Sequence, residues 1–137
     1  MKTLSKMVYQ PVFADHFEMG WLMLADFLIT QGKYDQAEEY CRQCLKYNRS
    51  QVKAQEFMGI IKEREKSFVN AAQHYEQAWI LSSKQAPTIG FRLAFNYLKA
   101  KRLVEAIDIC HEVLHNFPDY PEIKDKVLLP ARLALRN

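Results

Sequence analysis

The sequence predicts an all-α fold, a right-handed solenoid of three helical hairpins closed by a C-terminal capping helix. Two observations predict it. The first is the stretch Trp21 to Leu45, which reads as two amphipathic helices around a Gln31-Gly32-Lys33 turn. Trp21, Leu24 and Leu28 recur at helical spacing, with the small Ala25 among them. Ala37, Tyr40, Cys41, Cys44 and Leu45 form the matching face of the second helix. A small residue on each helix lets the two backbones approach closely.

The second observation is that the chain copies this unit. A shift of about 34 residues pairs Leu24 with Met58, Ala25 with Gly59, Tyr34 with Phe68, Ala37 with Ala71 and Cys44 with Ala78. A further shift of about 35 pairs Met58 with Leu93, Gly59 with Ala94, Phe68 with Leu103 and Ala71 with Ala106. Each slot keeps its size class, large, small or aromatic. That is the tetratricopeptide pattern, and an irregular helical bundle has no reason to keep small residues in register twice.

In chain order, residues 1–17 read as an arm or the remnant of a preceding unit. Val8, Tyr9, Val12 and Phe13 offer packing surface there, and Pro11 interrupts any helix. Repeats follow at about 18–51, 52–86 and 87–120, with helices expected at about 15–30, 34–47, 51–64, 68–81, 87–99 and 103–117. Pro87 suits a first-turn position. The cap spans about 121–136, where the bulky Leu128 fills the slot of Ala25, Gly59 and Ala94. Terminal repeats are atypical in this way. Pro130 is expected to kink or stop the cap, and Leu133 and Leu135 to cover the core.

Composition narrows the function classes. A chain of 137 residues suffices for one domain with a real core. A net charge of +3, with scattered basic residues, gives no argument for nucleic acid. No apolar run approaches the ~20 residues of a membrane span. Lys2 and Lys6 precede no continuous apolar core, so no signal peptide is expected. Three cysteines, an odd number, argue for a reducing compartment.

Two motifs invite a chemical reading. His111-Glu112-Val113-Leu114-His115 spells HExxH on a helix, the zinc-peptidase spacing. Pro118 and Pro121 fall where an extended zinc motif needs Gly and His, and both histidines are expected to face outward. Such an enzyme would bind stoichiometric zinc and lose it on His111→Ala. Cys41-Arg42-Gln43-Cys44 is a CxxC inside a helix, away from the helix N-terminus that lowers a thiol pKa. Core packing is expected for both thiols. With no Gly-rich phosphate loop and no Ser/His/Asp set, no catalytic, cofactor or metal residues are assigned.

The concave face is the place to look for a site. Stacked hairpins curve, and their first helices line the inner groove. Its side chains should be Leu22, Asp26 and Ile29, then Glu56, Ile60 and Glu63, then Phe91, Phe95 and Leu98. This face is apolar for one meeting water: either the N-terminal arm or a neighbouring chain covers it, or a partner helix is laid into the groove. Chaperone adaptors of this fold read a C-terminal carboxylate with Lys and Asn. Leu22, Asp26, Glu56 and Phe91 stand where those would be needed, so that specificity is not expected.

Several runs resemble one family beyond the repeat pattern. They include Gly20 to Phe27, Gly32 to Asp35, Ala71 to Trp79, Phe91 to Lys101, Ala106 to Leu114, Tyr120-Pro121 and Pro130-Ala131-Arg132. They are similar to the extreme C-terminus of the tetratricopeptide repeat protein 21 family, over roughly Glu18 to Arg136. The resemblance implies a piece of a longer array, or a short member. It also implies a non-enzymatic scaffold in intraflagellar transport complex A, serving retrograde transport and delivery of membrane-protein cargo to cilia. Other complex A subunits would be its partners, and cytoplasm, cilium and basal body its location. The alternative is a stand-alone adaptor binding a partner helix or peptide in the apolar groove. Self-association of the isolated segment is a further expectation.

Overall fold

Two short side chains facing each other set how closely a hairpin closes. Ala25 and Ala37 are fully buried where the first two helices cross, as are Ala71, Ala94 and Ala106 further along. In the computed structural model, which describes residues 14–136, helices α1 (Ala14–Thr30) and α2 (Tyr34–Tyr47) form the first hairpin. Helices α3 (Val52–Arg64) and α4 (Phe68–Leu81) form the second, and α5 (Pro87–Lys99) and α6 (Leu103–Asn116) the third. No strand occurs among the described residues. The N-terminal arm falls outside them as far as residue 13, and Phe17, in α1, is buried against Trp21 at a ring distance of 6.2 Å.

Each hairpin turns on the same hydrogen-bonded cap. Lys33 N donates to Leu28 O (2.9 Å) and Gly32 N to Ile29 O (3.0 Å). Ser67 to Lys62 with Lys66 to Glu63 repeats the pattern, and so does Arg102 to Tyr97 with Lys101 to Leu98. This is the Schellman arrangement, which needs a left-handed residue at its centre. Gly32 supplies it with φ 78°; Lys66 (62°) and Lys101 (65°) adopt it without glycine's freedom.

Gly59 and Gly90 mark two close approaches. A Cβ on Gly59 would stand 2.8 Å from the ring of the fully buried Tyr75. On Gly90 it would lie 2.5 Å from Val113 Cγ2 and 3.0 Å from Trp79 Cζ3. The repeat register singles out Gly59 as a small slot; Gly90 is one turn earlier on α5 and falls outside that register.

The cap bears on two expectations. Pro130 does not stop it: helix α7 (Pro121–Ile123) runs through a π-helical turn at Lys124–Leu128 into α8 (Leu129–Arg136). Leu129 N donates to Lys124 O, five residues back. That wider turn removes the clash a proline makes with the carbonyl four residues before it. Leu133 and Leu135 do not cover the core; they are 51% and 54% exposed. Ile123, Val127, Leu128 and Ala131 cover it instead. Leu133 lies two positions beyond Ala131, roughly 200° around the helix. Leu135 lies one turn past the last buried residue.

Candidate functional site

Helical spacing puts Leu22, Asp26 and Ile29 on one face of α1, Glu56, Ile60 and Glu63 on one face of α3, and Phe91, Phe95 and Leu98 on one face of α5. Asp26 is exposed and the other eight are half-buried. Leu22, Ile29, Ile60, Phe91, Phe95 and Leu98 pack on the hydrophobic clusters beneath them while keeping part of their surface open.

The third hairpin contributes the aromatic part. Phe91 and Phe95 lie nearly parallel, 6.3 Å apart with their planes at 14°. Tyr120, from the loop leading into the cap, leans on Phe91 at 6.1 Å. The Lys99 ammonium stands 5.3 Å above the Phe95 ring, placing a cation beside apolar surface. Tyr120 escapes a groove read from helical spacing alone because it comes from a loop; Lys99, one turn after Phe95 on α5, continues the row.

Beneath this face lies a polar network. Asn96, fully buried, donates through Nδ2 to Glu63 Oε1 (2.8 Å) and to the Arg92 carbonyl (2.7 Å). The Tyr75 hydroxyl donates to Glu63 Oε1 at 3.5 Å and accepts from Arg92 Nη1 at 3.4 Å. Burial, then the Glu63 carboxylate, pushes the Tyr75 hydroxyl above its ordinary pKa, so it stays a neutral donor. Glu63 therefore turns one oxygen inward to join α3, α4 and α5. Glu56 lies 3.5 Å from Lys53 Nζ on its own helix.

The two chemical motifs are placed plainly. His111 and His115 are exposed and line a shallow surface depression with Asp108, Glu112 and Asn116. Glu112, the would-be general base, accepts from Lys84 Nζ at 2.6 Å. Among the described residues, no group of three or more His, Cys, Asp or Glu is arranged to hold a metal ion. Cys41 and Cys44 are fully buried, and burial pushes both thiols up to about 12, against ready thiolate formation. The Cys44 thiol donates to the Glu18 carbonyl at 3.5 Å. No helix among the described residues is long and apolar enough to cross a membrane.

Paired antiparallel helices stacked with a repeating small-residue register define a tetratricopeptide-type solenoid, a class that holds other proteins. Solved structures agree on the fold. The first tetratricopeptide domain of Spaghetti (RPAP3), bound to the HSP90 peptide SRMEEVD, superposes with a TM-score of 0.77 at 19% identity, over 89% of this chain and 98% of that one. The Yersinia enterocolitica type III secretion chaperone SycD, in complex with a peptide of the translocator YopD, gives 0.72 at 18% identity, over 85% and 92%.

Sequence comparison goes further. The family profile described as "Tetratricopeptide repeat protein 21 C-terminal ARM domain" matches residues 1–132. Mouse tetratricopeptide repeat protein 21B is 49% identical over 136 residues, and the human protein 48%, each across 99% of this chain and 10% of the relative. The Caenorhabditis elegans homolog is 41% identical over 140 residues, across 99% of this chain and 11% of its own. The chain belongs to the tetratricopeptide repeat protein 21 family, and it spans about a tenth of the length of these relatives. The match begins at residue 1, so Met1 to Phe17 belongs to the resemblance that the repeat runs alone place from Glu18.

Proposed function

We propose that this chain is a protein-interaction scaffold that acts by binding rather than chemistry, as the C-terminal part of an intraflagellar transport complex A subunit. In that role it serves retrograde ciliary transport and delivery of membrane-protein cargo, in the cytoplasm, the cilium and the basal body. Family membership supports the scaffold class, and the residue runs shared with that family support the ciliary role. Its working surface is the concave row of first-helix side chains, and its partners are other complex A subunits or cargo.

The observation that carries the groove is the Phe91–Phe95–Tyr120 set. Its rings rest on the core below, yet Phe91, Phe95 and Tyr120 are each only half-buried. Aromatic side chains with two rotatable angles give contact area at low entropy cost, which suits an interface anchor. Helix-in-groove recognition is the mode this shape fits.

The test is a pull-down from ciliated cells with this chain as bait, against Phe91→Glu/Phe95→Glu, each first shown folded by circular dichroism. Complex A subunits recovered by the native chain and lost with the variant support both the role and the groove. Equal recovery puts binding on the outer helices or the cap. Affinity only for isolated peptides, with nothing ciliary, favours the stand-alone adaptor.

A further inference from the structure

The three first helices build the concave face from the same slots but with different charge. By the repeat register Glu56 shares its slot with Phe91, Asp26 with Phe95 and Glu63 with Leu98. Every carboxylate of the face thus falls in the first two hairpins, and the third is apolar in all of these slots. The cation that continues the row on α5, Lys99, stands over the Phe95 ring. One end of the groove is acidic, and the other is aromatic with a positive edge.

The acidic end is short of counter-charge. Asp26 and Glu63 form no ion pair among the described residues, and Glu56 meets the exposed Lys53 at 3.5 Å. Arg92 of α5 donates to the Tyr75 hydroxyl at 3.4 Å, and that hydroxyl in turn reaches Glu63. Asn96 is fully buried beside Glu63. It spends both Nδ2 hydrogens, on Glu63 Oε1 and on the Arg92 carbonyl, and its Oδ1 has no donor among the described residues. A buried acceptor without a donor leaves its negative end uncompensated, here in the amide that holds Glu63. The unpaired carboxylates and this acceptor therefore add at one place, and both favour an incoming cation.

We propose that the groove takes an amphipathic segment of a protein partner, with a lysine or arginine over Glu56 and Glu63 and an aromatic or aliphatic anchor on Phe91, Phe95 and Tyr120. This rests on the concave-groove reading above and adds to it the charge and order of the partner's side chains. Packed helices lie about 8–10 Å apart, so the step from α3 to α5 matches about six residues of a partner helix rising 1.5 Å each. Cation and anchor should then stand roughly two helical turns apart, and a second cation about as far again would reach Asp26. Lys99 and Arg92 repel a cation at the aromatic end, which fixes the order. An acidic segment would instead set like charges against Asp26, Glu56 and Glu63.

The experiment is fluorescence anisotropy of the 137-residue chain with two labelled peptides of about 18 residues, long enough to hold a helix. They share a Phe and Leu anchor and differ only two turns away, where one carries Lys and the other Glu. The Lys peptide should bind about tenfold more tightly at low salt, and the gap should close in roughly 0.5 M salt. Asp26→Asn/Glu56→Gln, which leaves the Glu63 network in place, should cut the preference to about threefold or less. Phe95→Ala should weaken both peptides by about tenfold or more. Circular dichroism checks that each variant is folded. Equal affinity for the two peptides, with both weakened by Phe95→Ala, overturns the charge assignment and leaves the groove standing. Tighter binding of the Glu peptide also overturns it and gives the face to an acidic partner. A Lys preference untouched by Asp26→Asn/Glu56→Gln overturns it as well. Binding of neither peptide, or binding that Phe95→Ala leaves unchanged, overturns the proposal and the groove together.

Discussion

Gly90 and Gly20 lie on the first helices of the third and first hairpins, and a methyl group would meet opposite surroundings at the two. At Gly90 it would press 2.5 Å from Val113 Cγ2; at Gly20 it would find nothing within 4 Å among the described residues. The cores differ in the same sense. Around the third hairpin and cap a single cluster runs from Ala71 to Ala131. Around the first hairpin the buried residues divide into two smaller groups, one about Phe17, Trp21 and Cys44, the other about Ala25, Leu28 and Cys41. One repeat plan thus yields a closed platform at one end, carrying the aromatic part of the groove, and an open face at the other.

The sharpest way to break this contrast is to truncate one slot in both hairpins. Leu93 is fully buried, and Leu24, in the equivalent slot, is 37% exposed. Leu93→Ala should cost about 2–5 kcal/mol in urea unfolding. Leu24→Ala should cost less than about 1 kcal/mol. Equal costs would show that the first hairpin is as closed as the third.

The glycines give a contrast of sign. Gly90→Ala should destabilise by about 1–3 kcal/mol, because Val113 and Trp79 must move. Gly20→Ala should stabilise by roughly 0.5–1 kcal/mol, the ordinary gain from replacing a helix-interior glycine in open space. Thermal unfolding of both variants checks this, and a loss at Gly20 would mean that its surroundings are occupied.

Acid should loosen the first joint before the second. Lys62 of α3 reaches back to Glu38 of α2 at 2.8 Å, and this hydrogen bond holds the Glu38 carboxyl below the usual carboxylate range. Inside the second hairpin, burial, then the nearby Lys62, lowers the His74 pKa on α4, whose Nδ1 lies 2.8 Å from Gln55 Oε1 of α3, the helix that carries Lys62. Both groups have depressed pKa values in the folded chain. The stability they contribute is therefore present above their unfolded values and lost as pH falls through the folded ones. The joint between the second and third hairpins uses neutral donors from α5: the Tyr97 hydroxyl to Glu76 at 2.8 Å, a phenol that burial keeps protonated, and the Asn96 amide to Glu63 at 2.8 Å. Amide exchange should accelerate in α2 and α3 between pH 7 and pH 4, corrected for intrinsic rates, more than in α5 and α6. Uniform acceleration would remove this difference between the joints.

The smallest effect belongs to the turns. Lys101 holds φ 65° where Gly32 holds 78° in the equivalent cap. Lys101→Gly should raise stability by up to about 1 kcal/mol, since an L side chain is strained there. Gly32→Ala should lower it, and calorimetry on the pair separates the two.

Much of this was legible in the sequence, for a physical reason. Repetition of small and large slots at one period specifies the hairpin, so Ala25, Gly59 and Ala94 could be read without coordinates. The cap was less legible. Pro130 follows the rule for a helix breaker, but the π turn before it is a backbone solution with no residue signature of its own. Leu133 and Leu135 look like core by composition; helix phase turns Leu133 away, while Leu135, in phase with Ala131, lies one turn past the last buried residue. Tyr120 joins the groove from a loop, beyond the reach of helical spacing. Gly90 is a close approach that belongs to one interface, so no repeat comparison could flag it.

The most direct test of an interaction scaffold working through its concave face is a hydroxyl-radical footprint of the chain, free and bound to whichever protein partner the pull-down recovers. Binding in the groove predicts protection of Phe91, Phe95, Leu98 and Tyr120, while Val69, Ile80 and Val104, exposed on the second helices, keep their free labelling rates. Protection of those second-helix residues with unchanged labelling of the four groove residues would contradict the account.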